Sequence, residues 1–209
     1  GIRDAQESRG LGDVYKRQME KNMRVIAGTA RSMPLRSIEG LETRPTQDRI
    51  KETLFNVIQA DVPGAKFLDL FAGSGAIGIE ALSRGAASAV FVENSKAAAA
   101  CIKQNLAFTK LADNATVMEC DALTAINRLA GKGVFDVIHM DPPYNHEYEK
   151  QVLAALKNSD IIDEYTLIVI EASLETDFSY LESLGYMLVK QKNYKNNKHI
   201  FVNSDRNGE

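Results

Sequence analysis

The chain has 209 residues, 44% of them hydrophobic and 25% charged, enough for one soluble globular domain plus a small appendage. A net charge of −3 argues against strong, nonspecific nucleic-acid binding. No apolar run reaches the roughly 18 residues of a membrane span, and no secretory signal is evident. Cys101 and Cys120 form no C-x-x-C pair, and the three histidines do not cluster with them. No zinc site, other metal or disulfide framework is therefore expected, and a reducing cytoplasm fits.

The distribution of charge is more informative than its sum. Residues 23–60 carry six Arg/Lys against four Asp/Glu, whereas residues 61–209 carry 14 against 20. A second basic stretch, Lys190, Lys192, Lys195 and Lys198 around Tyr194, has no acidic neighbour. Such stretches are usually solvated surface, but two of them also suit a phosphate-contacting rim. Arg24, Arg31, Arg36, Arg44, Lys192 and Tyr194 are the candidates for that rim.

In chain order, residues 1–22 read as a non-native or disordered leader. Gly10 to Gln18 resembles a translated sequencing-library adaptor, and a natural start at Met19 or Met23 is expected. Residues 23–60 form an amino-terminal hairpin and helix. Arg24–Ala27 and Leu35–Ile38 are strand-like and flank a turn from Gly28 to Pro34. Arg44-Pro45-Thr46 opens a helix in which Thr46 can cap and Asp48 meets the positive first turn. Ile50, Leu54, Val57 and Ile58 share one face of it.

Residues 61–203 alternate strand and helix. Strands are predicted at 67–71, 89–93, 115–120, 134–140 and 167–171, with helices from the glycine loop to 84 and over 95–109, 122–129, 147–156 and 177–184. Two final strands, 187–191 and 199–202, join through the lysine-rich turn, and 204–209 is a polar tail. The pattern predicts an α/β fold with a mainly parallel sheet, covered on both faces, and an antiparallel carboxyl-terminal hairpin.

Gly73-x-Gly75-x-x-Gly78 matches the dinucleotide fingerprint, and Glu93 follows at the end of the next strand. These facts fit a nicotinamide enzyme and equally a methyltransferase using S-adenosylmethionine (AdoMet). Either ligand needs a glycine turn for close approach and a carboxylate for ribose hydroxyls. Asp69, buried in a strand, needs a partner: an ammonium, an ordered water or a structural hydrogen bond. Asp121 closes the third strand, where it can accept from an adenine amine or simply cap a helix. Asp141-Pro142-Pro143-Tyr144 ends the fourth strand, where open α/β sheets bind ligands. The prolines stiffen the turn, the carboxylate and a carbonyl can hold the N–H groups of a planar amine, and the ring can stack on it. The bland alternative is a Pro-Pro turn with Tyr144 in ordinary packing.

Leu68 to Gly75, Asp121 and Asp141-Pro142-Pro143-Tyr144 together resemble amino-methyltransferases of nucleic-acid bases. Met23 to Gly28, Arg44-Pro45-Thr46, Leu54-Phe55-Asn56 and Glu80 to Ala86 narrow this. The chain resembles the RsmD-type 16S ribosomal RNA (guanine-N2)-methyltransferases over about residues 23–202. One departure is Tyr194-Lys195-Asn196-Asn197-Lys198, where family members often carry Tyr-Gly followed by Asn/Asp-Thr.

The resemblance implies a Rossmann-like AdoMet-dependent methyltransferase fold with a small RNA-binding extension. It implies AdoMet contacts from Thr46, Asp69, Gly73, Ser74, Gly75, Glu93, Asp121 and Ala122, and catalysis by Asp141, Pro142 and Tyr144. The partner implied is 16S rRNA, within a small ribosomal subunit or an assembly intermediate, with no membrane and no metal. The rival readings are a DNA adenine-N6 methyltransferase, a nicotinamide-dependent oxidoreductase and a non-catalytic RNA-binding assembly protein. The first lacks an obvious target-recognition domain, and the second leaves Asp141 to Tyr144 unexplained.

Overall fold

The computed structural model describes residues 23–37, 45–143 and 148–205, with the side chains of 45–47 outside that description. Strand β1, Lys66–Asp69, begins the sheet at its middle, and the chain builds outward in both directions. Helix α2, Ala76–Ser83, leads to β2, Ser88–Val92; α3, Lys96–Thr109, leads to β3, Ala115–Met118. Helix α4, Ala122–Leu129, then crosses back to β4, Val137–Met140, on the other side of β1. Helix α5, Tyr148–Lys157, and β5, Leu167–Ser173, follow. The antiparallel pair β6, Tyr186–Asn193, and β7, Asn197–Ser204, closes the sheet.

The strand order is β3-β2-β1-β4-β5-β7-β6. The first five are parallel, and β7 runs against both neighbours. The strand order reverses between β1 and β4, and the crevice at such a reversal, beyond the carboxyl ends of the strands, is where this architecture holds ligands. The expected Rossmann-like α/β fold with its carboxyl-terminal hairpin is the fold observed.

Side-chain alternation along the strands divides the core. Phe67, Val137, Val169 and Phe201 face one layer, made by helix α1 (Pro45–Val57), α2, α3 and the amino-terminal arm. Leu68, Ile138, Ile168 and Ile200 face the other, made by α4 and α5. Helix α2 lies close on β2 because residue 78 is glycine: a Cβ there would sit 2.3 Å from the Phe91 ring.

The arm is the expected hairpin in a short form. An antiparallel bridge, Arg24 to Pro34, pairs its two sides, with Val25 N donating to Met33 O, Ser32 N to Val25 O and Leu35 N to Met23 O. Its other backbone groups bond to distant side chains. Glu80 of α2 accepts from the amides of Ile26 at 2.8 Å and Ala27 at 3.0 Å. The Ser83 hydroxyl donates to Ala27 O and accepts from Ala30 N. Lys51 of α1 donates to Arg24 O at 2.6 Å. Gly28, at φ 84°, passes so close to Ser83 that a Cβ would meet its carbonyl oxygen at 1.8 Å. Glu80 is fully buried and pairs with Lys51 at 3.5 Å and Arg84 at 2.7 Å.

The helix predicted at 177–184 is reduced to one 3-10 turn, Glu182–Leu184. Asp177 and Ser179 satisfy each other locally: Ser179 N and Oγ both donate to the Asp177 carboxylate. Such bonds compete with helix, and Gly185 at φ 72° ends the segment. Lys198 also departs from the surface role expected of the lysine-rich turn. It is buried, and its ammonium donates to Leu174 O and Thr176 O.

Candidate active site

Every parallel strand delivers a carboxylate to the same edge of the sheet. Asp69 ends β1, Glu93 follows β2, Asp121 follows β3, Asp141 follows β4 and Glu171 lies near the end of β5. Two cavities open along this edge. The larger, about 700 Å³ and so within the range of small-molecule sites, is lined by Leu70, Val92, Glu93, Asp121, Ala122, Leu123, Pro142, Pro143 and Val152, among others. The smaller is lined by Asp69, His139, Glu171 and His199 from the sheet, by Ile50, Lys51 and Leu54 from α1, and by Met23 and Ser37 from the arm. Phe71, Gly73 and Asp141 line both, so Asp141 stands where the two cavities meet.

Of the residues expected to hold the cofactor, the glycine loop is built as anticipated. Gly73 has φ 54° and Gly75 φ 81°, conformations that favour glycine. Nothing lies within 4 Å of where a Gly73 Cβ would project. Ser74 is pinned through its carbonyl, which accepts from Asn105 Nδ2 at 2.9 Å, and Asn105 also clasps both backbone groups of Arg36. Glu93 lines the larger cavity while its oxygens accept from Gly73 N and Ser95 N, each at 2.9 Å. Asp121 is both a cap and a cavity wall: Thr124 N and Oγ1 donate to it, which holds its carboxyl below the usual range. Thr46 lies in the first turn of α1, but its side chain is outside the described residues.

The partner of Asp69 is an imidazole. Asp69 Oδ1 lies 3.2 Å from His139 Nδ1, and Oδ2 accepts from Gly78 N at 3.3 Å. Burial lowers the His139 pKa, but the hydrogen bond to Asp69 and the charges of Asp69, Asp141 and Glu171 outweigh it, and the net shift is upward. His139 Nε2 is buried without a partner among the described residues. An orphaned polar atom in a cavity wall is a place for a ligand or water to bond.

Asp141 is open to the cavity yet surrounded by protein. Burial, then the charge of Glu171, raises its pKa from the ordinary carboxylate range to about 7. Pro142 is buried, as a stiff turn requires, and Pro143 is exposed. Tyr144 and Arg44 lie outside the described residues. Arg24, Arg31 and Arg36 are exposed; Arg24 pairs with Asp48 at 3.6 Å and Arg36 donates to Gln104. Lys192 is half-buried on β6. Tyr194 turns inward, its hydroxyl 3.1 Å from His199 Nδ1 and its ring edge-on to the imidazole.

His139, Lys51, Glu171 and His199 were not among the expected site residues. A signal for two of them was present. His139 precedes Asp141 by two positions and so shares its face, and Glu171 ends a strand as Asp69 does. His199 is its register partner on β7, a pairing that only the assembled sheet reveals.

Chemically, this is an acceptor-rich edge with apolar walls. It suits a ligand that carries an amine, ribose hydroxyls and a cationic centre, groups that AdoMet has.

A family described as Conserved hypothetical protein 95 matches residues 23–203. Ribosomal RNA small subunit methyltransferase D of Haemophilus influenzae is 35% identical over 173 residues, covering 81% of this chain and 88% of that protein. The enzyme of the same name from Escherichia coli is 37% identical over 156 residues, covering 73% and 76%. The solved structure of Escherichia coli yhhF, described as a candidate methyltransferase, superposes with a TM-score of 0.74 at 32% identity, over 88% of this chain and 98% of that one. The chain therefore belongs to the Conserved hypothetical protein 95 family, the RsmD-type methyltransferases.

Proposed function

We propose that this protein methylates the exocyclic N2 amine of a guanine in 16S rRNA of the small ribosomal subunit, with AdoMet as donor. The observation that carries the reading is the position of Asp141, at the junction of a cofactor-sized cavity and a second one bordered by Asp69, His139 and Glu171. The names of the relatives supply the RNA class, and the resemblance supplies guanine N2.

When bound, AdoMet would supply an electrophilic sulfonium methyl for the N2 lone pair, the C–S bonding electrons staying on sulfur and N2 left with a proton to lose. The residues do the rest by orientation and preorganised charge. Asp141 and the Pro142 carbonyl accept the two N2–H groups, which draws the lone pair out of conjugation with the ring. Tyr144 stacks on a guanine exposed from a loop or flipped from its stack. Glu93 accepts from ribose hydroxyls, Asp121 from the adenine amine, and Ala122 offers apolar contact. Gly73, Ser74 and Gly75 let the ligand approach, while Asp69, with Thr46 assigned on resemblance, borders the amino-acid end. Arg24, Arg31, Arg36, Arg44, Lys192 and Tyr194 form the RNA rim. An acidic body with small basic patches favours an assembled particle over naked RNA, because proteins there add contacts that charge does not.

The test supplies AdoMet labelled in its methyl group together with unmethylated small subunits, the same RNA stripped of protein, or duplex DNA, followed by digestion to nucleosides. Labelled N2-methylguanosine from subunits is expected. Labelled N6-methyladenine from DNA would transfer the assignment to a DNA adenine methyltransferase. Binding of AdoMet with no label in any substrate would remove the proposed substrate.

A further inference from the structure

Beside Asp141 lies a second carboxylate, held far more tightly. Met140 of β4 and Ile170 of β5 are register partners, so Asp141 and Glu171 follow them side by side at the ends of adjacent strands. Both line the smaller cavity. Glu171 Oε2 lies 3.3 Å from His199 Nε2, Oε1 accepts from Asn197 Nδ2, and His199 Nδ1 is in turn 3.1 Å from the Tyr194 hydroxyl. His199 is fully buried. No hydrogen bond from a described residue reaches the Asp141 carboxylate. One carboxylate of the pair is therefore fixed by two donors, and the other is left to meet a substrate.

We propose that Glu171, pinned by His199 and Asn197, is a positioning residue: the fixed negative charge that makes Asp141 the proton acceptor of this site. This rests on the amine-methyltransferase reading above. Once N2 has formed its bond to carbon it is cationic. One N–H bond then breaks, its electrons return to nitrogen, and the proton moves to a carboxylate oxygen of Asp141 and on to water. A base whose proton affinity is matched to the working pH serves this step best. Burial and the Glu171 charge push Asp141 up, while the hydrogen bond and charge of His199 overcome burial and pull Glu171 down. The two neighbours are thus driven apart, the arrangement that separates acid from base roles in paired carboxylates.

The other groups that act on Asp141 do not substitute for Glu171. Asp69 is paired with His139. Glu149 of α5 is buried and adds negative charge, and Lys51 of α1, on the cavity wall, pairs with Glu80. Among these, Glu171 is the largest charge effect on Asp141.

The experiment titrates the full chain by carboxyl carbon NMR, with the Asp141 signal assigned through Asp141→Asn, and measures the pH profile of methyl transfer in parallel. Glu171→Gln is expected to weaken proton binding at Asp141 about tenfold, moving its titration and the acid limb of activity to lower pH. His199→Gln is expected to do the opposite, because Glu171 loses the imidazole whose hydrogen bond and charge hold it down, and the carboxylate pair takes up its first proton at higher pH. Opposite shifts support the proposal. An Asp141 titration that stays fixed in whichever variant folds, or moves the same way in both, overturns it, since a merely structural role would not reverse sign. The NMR titration needs no substrate. Absence of guanine methylation would thus remove the functional reading, and an unmoved Asp141 would remove this inference alone.

Discussion

Glu80 accepts the amide of Ile26 at 2.8 Å across 54 positions of sequence. The same buried carboxylate holds Ala27, Lys51 and Arg84, so the Met23–Gly28 and Glu80–Ala86 strings that narrow the family are two halves of one latch. Their chemistry is structural before it is catalytic: the latch presents Met23 and Ser37 to the cavity wall. Glu80→Ala leaves a buried lysine without its counter-charge, and breaking such a pair costs about 3–5 kcal/mol. The urea midpoint is expected to fall accordingly, and AdoMet affinity by calorimetry to fall with it as the arm detaches. A loss of stability below about 1 kcal/mol, the range of an exposed pair, would show the latch to be idle.

This latch also shows what a sequence conceals. The β–α alternation, the glycine loop and the cap at Asp121 were legible because each is written in neighbouring residues. The arm's hairpin was legible because its composition is local, while its anchors, Glu80, Ser83 and Asn105, lie some 50 to 70 positions away and were not. The 177–184 segment reads as a helix, but Asp177 and Ser179 bond to each other first. In the site, Asp69, Glu93, Asp121 and Asp141 could be seen as carboxylates at strand ends. The charge balance around them could not, because His139 and His199 acquire their partners only through strand pairing.

Gly73→Ala tests the loop without filling any packed space. The glycine stands at φ 54°, so an L side chain costs about 1–2 kcal/mol in backbone strain. Its Cβ would meet nothing within 4 Å in the protein, yet the position borders both cavities. The expected result is modest destabilisation with a disproportionate fall in AdoMet affinity, about tenfold or more, as one misplaced contact in a tight site costs at least 1.4 kcal/mol. Equal losses from strain alone, with affinity restored once the protein is folded at low temperature, would place the ligand elsewhere.

Asp121 carries two roles that substitution can separate. It caps α4 by accepting from Thr124 N at 2.9 Å, and it lines the larger cavity. Asp121→Ser keeps a good capping oxygen, so stability is expected to stay within about 0.5 kcal/mol, whereas Asp121→Ala loses about 1 kcal/mol. Both variants lose the carboxylate that would accept from adenine, so both should bind AdoMet more weakly. If the serine variant binds as well as the parent, Asp121 is a cap and nothing more.

Asp141 should make the protein less stable at the pH where it works. Its folded pKa, raised to about 7, lies above the unfolded value of 3.8. The folded state therefore binds this proton more tightly, and the stability it contributes is complete below the unfolded pKa and lost as pH rises through the folded one. Asp141→Asn keeps the shape and removes the charge beside Glu171. Urea unfolding of the variant is expected to show greater stability than the parent at about pH 8, with the advantage shrinking towards about pH 4. Methyl transfer by the same variant should fall by about 10²–10³-fold, the scale of losing one preorganised polar contact to the reacting group. AdoMet should still bind, because Glu93 and Asp121, the carboxylates proposed to face it, are untouched; loss of binding would move Asp141 into the cofactor site. An asparagine variant less stable than the parent at pH 8 would mean that the carboxylate is held by favourable contacts, and that its neighbours do not oppose its charge.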